Sequence, residues 1–149
     1  MRLLDLATIL CIGLMTGNEF AVSAFVNPAV WTLDPPSQAK ACKHLARTLG
    51  TVMPLWYGLS LALLAAVAYT RRDLAGAPWL YGAIAIWVLA IVFSLTVLVP
   101  INNRITALDL DSPPPHWRMA HKRWDKLHRW RIAMLAIAVA FAIWGVLGA

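Results

Sequence analysis

Apolar positions along this chain gather into four long runs, each closed by proline, by asparagine with proline, or by a cluster of charge. A helix needs roughly 20 mostly apolar residues to cross hydrocarbon. The runs at roughly 3–26, 49–69, 79–99 and 132–147 approach or exceed that length. The first is expected to end at Asn27-Pro28, because the residue before proline disfavours helix. The third is expected to stop at Pro100, while Pro54 lies inside the second as a tolerated kink. The fourth run is short, but its helix should begin near His116, after Pro113-Pro114-Pro115. Asp34-Pro35-Pro36-Ser37 has the same character, with Asp34 as cap and Pro35 in the first turn. Helices two and four would then each exceed 30 residues, roughly 45–50 Å, and project from the bilayer on one side. The pattern predicts an all-α, integral membrane four-helix bundle forming a single domain over residues 1–149.

Composition agrees with this and narrows the partners. Sixty per cent of the residues are hydrophobic and 13% charged, too apolar a mix for one water-soluble core of this size. The net charge of +6 does not point to nucleic acid, because the basic residues flank the apolar runs rather than forming a basic domain. The bilayer is the expected partner, and the oligomeric state is left open. Cys11 lies in an apolar run and Cys42 in a polar segment, so no disulfide is expected between them. The first run, ending near Ala21-Val22-Ser23-Ala24, has the outline of a cleavable signal but is read here as a span. The first and third connections share one side of the membrane and carry Lys40, Lys43, Arg47, Arg104, Arg118, Lys122, Arg123, Lys126, Arg129 and Arg131. The other side carries Arg2, Arg71 and Arg72, so charge bias places the first side in the cytoplasm.

Polar residues inside the runs supply the candidate chemistry. Glu19 is the only glutamate, and a carboxylate in a span is costly unless paired, hydrated or protonated. Thr16, Glu19, Ser23 and Asn27 share one helix face, and Gly13 and Gly17 are spaced for close approach of another helix. In the fourth helix, Trp117, His121, Trp124, His128 and Arg131 follow at intervals of four, three, four and three and so form one stripe, expected to face inward. Arg118, Lys122, Asp125, Lys126 and Arg129 form the opposite, charged face. The third helix leaves through Asn102-Asn103-Arg104, amides and a guanidinium suited to a polarised carbonyl or oxyanion. His44 lies on the extended part of the second helix. Together these predict a cavity opening to the basic side, floored by Glu19 and walled by tryptophans.

Several of these residues carry a family resemblance. Glu19-Phe20 followed by Asn27-Pro28, the exit Val99-Pro100-Ile101-Asn102-Asn103-Arg104 and the spacing Trp124-x3-His128-x2-Arg131 resemble the small anthrone-oxygenase-like membrane proteins. That resemblance implies oxygen chemistry on a flat, phenolic polycyclic molecule without an evident organic cofactor. The partners it implies are a hydrophobic small molecule and molecular oxygen. Glu19 or His128 would be the base, and Arg104 or Arg131, with Asn102, would stabilise the anion. Trp117 and Trp124 would stack on the rings, with Asn27, Asn103 and His121 completing the substrate contacts.

Two other readings stand beside this one. Glu19, His44 and His128 are suitable ligand types for iron or copper, although the chain shows no local metal motif. Alternatively, the bundle binds a lipid or other small molecule, or serves assembly, without catalysis.

Overall fold

A computed structural model describes residues 2–148. It contains four helices, each long and apolar enough to cross a membrane: α1 (Leu3–Trp31), α2 (Pro35–Thr70), α3 (Ala77–Thr106) and α4 (Trp117–Leu147). No strand occurs among the described residues. The connections are short, so neighbours in sequence run antiparallel. α1 packs on α2 and α4, α2 on α3, and α3 most extensively on α4, which closes the ring. Leucines, valines and aromatics such as Leu14, Leu55, Leu59, Val88, Leu89 and Trp144 cover the outside, as lipid contact requires.

The expected helix starts are present. Asp34 accepts a hydrogen bond from the Ser37 amide at 3.2 Å, and α4 begins at Trp117. The expected ends of the first and third spans are not present, because both helices continue through their prolines. In each case one five-residue segment widens to π geometry just before the proline, at Val22–Val26 and Ser94–Leu98. There the Asn27 amide bonds the Val22 carbonyl and the Val99 amide bonds the Ser94 carbonyl, five residues back instead of four. A wider turn relieves the clash between a proline ring and the carbonyl of the previous turn, so the helix survives. α1 and α3 therefore reach 29 and 30 residues, close to the 36 and 31 of α2 and α4.

Small residues let the bundle close. Ala83 and Ala90 of α3 and Ala138 and Ala142 of α4 are fully buried in a core with Ile12, Met15, Leu64, Trp87 and Leu135. At one end Gly76 meets Gly145 so closely that a Cβ on Gly76 would overlap the Gly145 carbonyl. The glycines expected to serve close packing, Gly13 and Gly17, do not: nothing lies within 4 Å of where their Cβ atoms would be. The same end holds an ion pair. Arg71 donates from Nε to Asp5 Oδ1 at 3.0 Å, from Nη2 to Asp5 Oδ2 at 2.7 Å, and from Nη1 to the Val146 carbonyl at 3.2 Å. Asp5 also accepts from the Arg2 amide at 2.7 Å. The hydrogen bonds to the Asp5 carboxylate hold the Arg71 guanidinium above its ordinary pKa. Arg71 is thus a clasp joining α1, α2 and α4 rather than a free loop charge.

At the opposite end Val30, Ala39, Cys42, Ala46, Ile105, Leu108 and Trp117 form a second apolar cluster. Lys43 ties the connection before α4 to α2 by donating to the Leu108 carbonyl at 2.6 Å.

Candidate active site

Between the two ends lies a cavity of about 320 Å³, within the size range of ligand pockets. Its walls are mostly apolar: Val22 from α1, Leu49, Met53 and Pro54 from α2, and Ile91, Leu95, Leu98 and Val99 from α3. Into this lining project Glu19, Tyr57, Ser94, Asn102, Trp124 and Arg131. Both π segments border it, through Val22 and through Ser94, Leu95 and Leu98.

The polar end is built around one carboxylate. Glu19 is 3% exposed, so its charge must be met within the protein. Arg131 Nη2 donates to Glu19 Oε2 at 2.6 Å, and Arg131 Nη1 donates to Ser94 Oγ at 3.2 Å. Ser94 in turn donates to the Ala90 carbonyl at 2.7 Å. Tyr57 OH donates to the other carboxylate oxygen over 3.4 Å, and the Arg131 guanidinium lies above the Tyr57 ring, 5.7 Å from its centre. Trp87 fixes α2 behind this group by donating from Nε1 to the Tyr57 carbonyl at 3.3 Å. Arg131 Nε is buried and has no hydrogen-bond partner.

His128 lies behind the pair and does not line the cavity. Its Nε2 is 3.1 Å from the Glu19 backbone carbonyl, which can only accept, so Nε2 carries the proton. Nδ1 is then an acceptor and takes an N–H from Arg131 Nη2 at 2.9 Å. With both nitrogens engaged and no exposed surface, His128 orients the arginine and the turn bearing Glu19. Trp124 stacks on it at 4.6 Å and 14°, and His121 stacks on Trp124 at 5.9 Å and 7°.

The α4 stripe faces inward throughout, but its members separate in location. Arg131 and Trp124 line the main cavity. His121 packs against Trp31 and lines a smaller hollow of about 40 Å³ together with Asn27 and Cys42. Trp117 belongs to the end cluster. Asn102 lines the main cavity while donating to the Ala46 carbonyl at 3.1 Å. Asn103 and Arg104 follow it on α3 but are exposed and turned away, so they do not line the cavity. His44 is also exposed, and the trio Glu19, His44 and His128 is not assembled. No group of three or more His, Cys, Asp or Glu able to hold a metal ion occurs among the described residues.

Asp125 is not on the charged outer face. It is 9% exposed, accepts from Asn27 Nδ2 at 2.8 Å and pairs with Arg129 at 3.1 Å. Asn27 is thereby committed to linking α1 with α4 just beyond the cavity. This link, the Trp31, His121 and Trp124 rings and the apolar cluster fill the bundle where a mouth toward the basic side was expected. Tyr57 and Ser94, which complete the polar end, have no sequence signal beyond a lone hydroxyl in an apolar run.

Residues 43–141 match the family model described as anthrone oxygenase. That stretch holds every cavity-lining residue except those of α1. No curated protein and no solved structure matches the chain.

Proposed function

The chain belongs to the anthrone oxygenase family, and from that premise we propose that its cavity binds a flat, largely apolar aromatic ketone and makes it reactive toward molecular oxygen. One observation carries this reading: a single carboxylate, matched by a single arginine, faces a largely apolar hollow with a tryptophan on its wall.

The charge arithmetic suits proton removal next to a ring carbonyl. Before reaction Glu19 and Arg131 sum to zero. When Glu19 takes the proton, its charge disappears and the substrate becomes an enolate. Arg131 then faces the new oxyanion, so the site remains neutral throughout. A largely apolar cavity could not otherwise tolerate a new charge, and a guanidinium already in place needs little reorganisation. Glu19 is therefore the base, Arg131 the anion-stabilising group and Trp124 the ring platform, with Ser94, Tyr57 and His128 as positioning residues.

The oxygen step follows from the substrate's own electrons. The enolate carbon transfers an electron to oxygen, the two radicals combine into a peroxide, and the proton held by Glu19 returns to it. Loss of water from that hydroperoxide leaves a new ring carbonyl. One ketone and one oxygen molecule thus become one quinone and one water. The proposed side of the membrane for the polar half is the cytoplasm. In support, that half carries ten of the thirteen lysines and arginines of the chain.

The test is oxygen uptake and quinone formation from anthrone by the full chain in lipid vesicles. Glu19→Gln should lower the rate by about 10²–10⁴-fold, the usual contribution of a positioned base. An unchanged rate in that variant would remove Glu19 from the chemistry. Anthrone binding without oxygen consumption by the unaltered chain would leave a binding protein.

A further inference from the structure

The cavity opens sideways, and we infer that its ligand arrives through a gap between α2 and α3 from within the bilayer. The inference rests on the reading above, in which the cavity takes a flat apolar molecule, and it makes that molecule membrane-dissolved.

Three features place the gap. α2 packs against α3 along Ala77–Phe93 and again along Val99–Thr106, but hardly at all along the π segment Ser94–Leu98 between them. On the α2 side, Gly50, Pro54 and Gly58 line the cavity and are nonetheless exposed, as are Leu95 (61%) and Val99 (36%) across from them. Gly58 has nothing within 4 Å of where a Cβ would be, whereas a Cβ on Gly50 would sit 3.1 Å from Asn102 Nδ2. The helices therefore meet near Gly50 and part toward Gly58. Beside the gap lie Leu55 and Leu59, 76% and 55% exposed, which marks this face as lipid-covered. Pro54 also leaves the Gly50 carbonyl without its usual donor four residues on, so α2 is weakened where it would have to flex.

A ligand is indicated independently of the small residues. Arg131 is 8% exposed, it lines the cavity, and its buried Nε has no partner within the protein. A ligand carbonyl passing between α2 and α3 meets Glu19 and Arg131 last, at the far wall. Its ring body meanwhile lies against Met53, Ile91 and Leu98. The substrate class is then a bilayer-soluble polycycle with one polar edge, presented edge first.

The test uses the full chain in phosphatidylcholine vesicles with 9,10-anthraquinone, which is not consumed, dissolved in the membrane. Binding is followed by quenching of tryptophan fluorescence, with Trp124→Leu identifying the responding residue. Gly58→Phe, alone and with Leu95→Phe, should slow association by about tenfold or more, because a binding step that needs conformational opening is slow. Val88→Phe, on the lipid face outside the gap, should leave it unchanged. For a block imposed after folding, Gly58→Cys in a Cys11→Ala, Cys42→Ala chain is joined to a benzyl thiol through a disulfide. Uptake should stop and should return on reduction. Unchanged association in the double phenylalanine variant, or in the benzyl-blocked protein, overturns the gateway. So does oxidation of anthrone at undiminished kcat/KM in either, and that result leaves the oxygenase reading intact. Gap-dependent uptake without anthrone oxidation does the reverse. Failure of the unaltered chain to take up anthraquinone overturns both.

Discussion

Replacing Arg131 by methionine removes three donors at once. Glu19 Oε2 loses its 2.6 Å partner, His128 Nδ1 its 2.9 Å partner and Ser94 Oγ its 3.2 Å partner. The first loss dominates, because an ionised carboxylate with 4% of its side chain exposed is left without a counter-charge. Breaking one side of a buried pair costs about 3–5 kcal/mol, more than the pair itself contributes. Inside a bilayer the unfolded but inserted chain also finds partners for its charges, which brings the expectation to about 3 kcal/mol. Glu19→Gln strands the Arg131 guanidinium in turn, but the amide oxygen still accepts from Arg131 and Arg131 keeps its bond to Ser94. The cost should therefore be somewhat less, about 2–3 kcal/mol. Combining the two removes the stranded carboxylate. The double variant should therefore be more stable than the sum of its parts by about 1–2 kcal/mol. The assay is reversible unfolding in mixed micelles on titration with dodecyl sulfate, followed by helical circular dichroism. Additivity within about 0.5 kcal/mol would mean that the two groups do not meet in the folded protein, and the active-site geometry would fall with it.

Other sites give sharper separations between stability and activity. Gly76→Ala should destabilise by about 1–3 kcal/mol in the same titration, since its Cβ would overlap the Gly145 carbonyl. Gly13→Ala, with open space around it, should gain up to about 1 kcal/mol from helix propensity. Arg71→Met should cost about 3 kcal/mol or more by stranding Asp5, yet leave anthrone oxidation per folded molecule unchanged. Hydrogen bonding from Ser37 holds the Asp34 carboxyl below its ordinary value of 3.8, so the charged form supports the start of α2. That support is present above 3.8 and is lost as pH falls through the lower, folded-state value. Amide-exchange protection of the first turn, Ser37 and Gln38, should fall with acid in the natural chain. In Asp34→Asn, which caps without titrating, it should remain flat.

The helices were legible because four apolar runs of membrane length admit few alternatives, and the start at Pro35 carried a capping Asp34 while that at Trp117 followed three prolines. Their ends were not, because no residue type announces a π turn. Asn27-Pro28 and Pro100 look the same whether the helix stops there or widens and continues. Glu19 stood out as charge in an apolar run, and the three- and four-residue spacing gave the inward face of α4 with Arg131 on it. Asp125 and Arg71 were hidden for the opposite reason. Each sits among other charged residues, and its buried partner, Asn27 or Asp5, lies 98 or 66 positions away. Asn103 and Arg104 follow Asn102 directly but do not line the cavity with it. On a helix each successive residue turns about 100°, and only one of the three can face the cavity.

The two buried arginine–carboxylate pairs show why the hollow, not the charge, carries the functional argument. At one end Arg71 grips Asp5 with two parallel bonds and spends a third on the Val146 carbonyl, and Asp5 takes a further bond from the Arg2 amide. Every lone pair that matters is engaged, neither group borders the cavity, and the pair joins three helices. Near the other end Arg131 meets Glu19 through one nitrogen only, and the second carboxylate oxygen has nothing nearer than a 3.4 Å tyrosine hydroxyl. A buried carboxylate so loosely satisfied is a poor clasp, since incomplete hydrogen bonding leaves part of its desolvation cost uncompensated. What it retains is a carboxylate oxygen beside a largely apolar cavity of about 320 Å³, with a cation in contact, as the proposed proton removal requires.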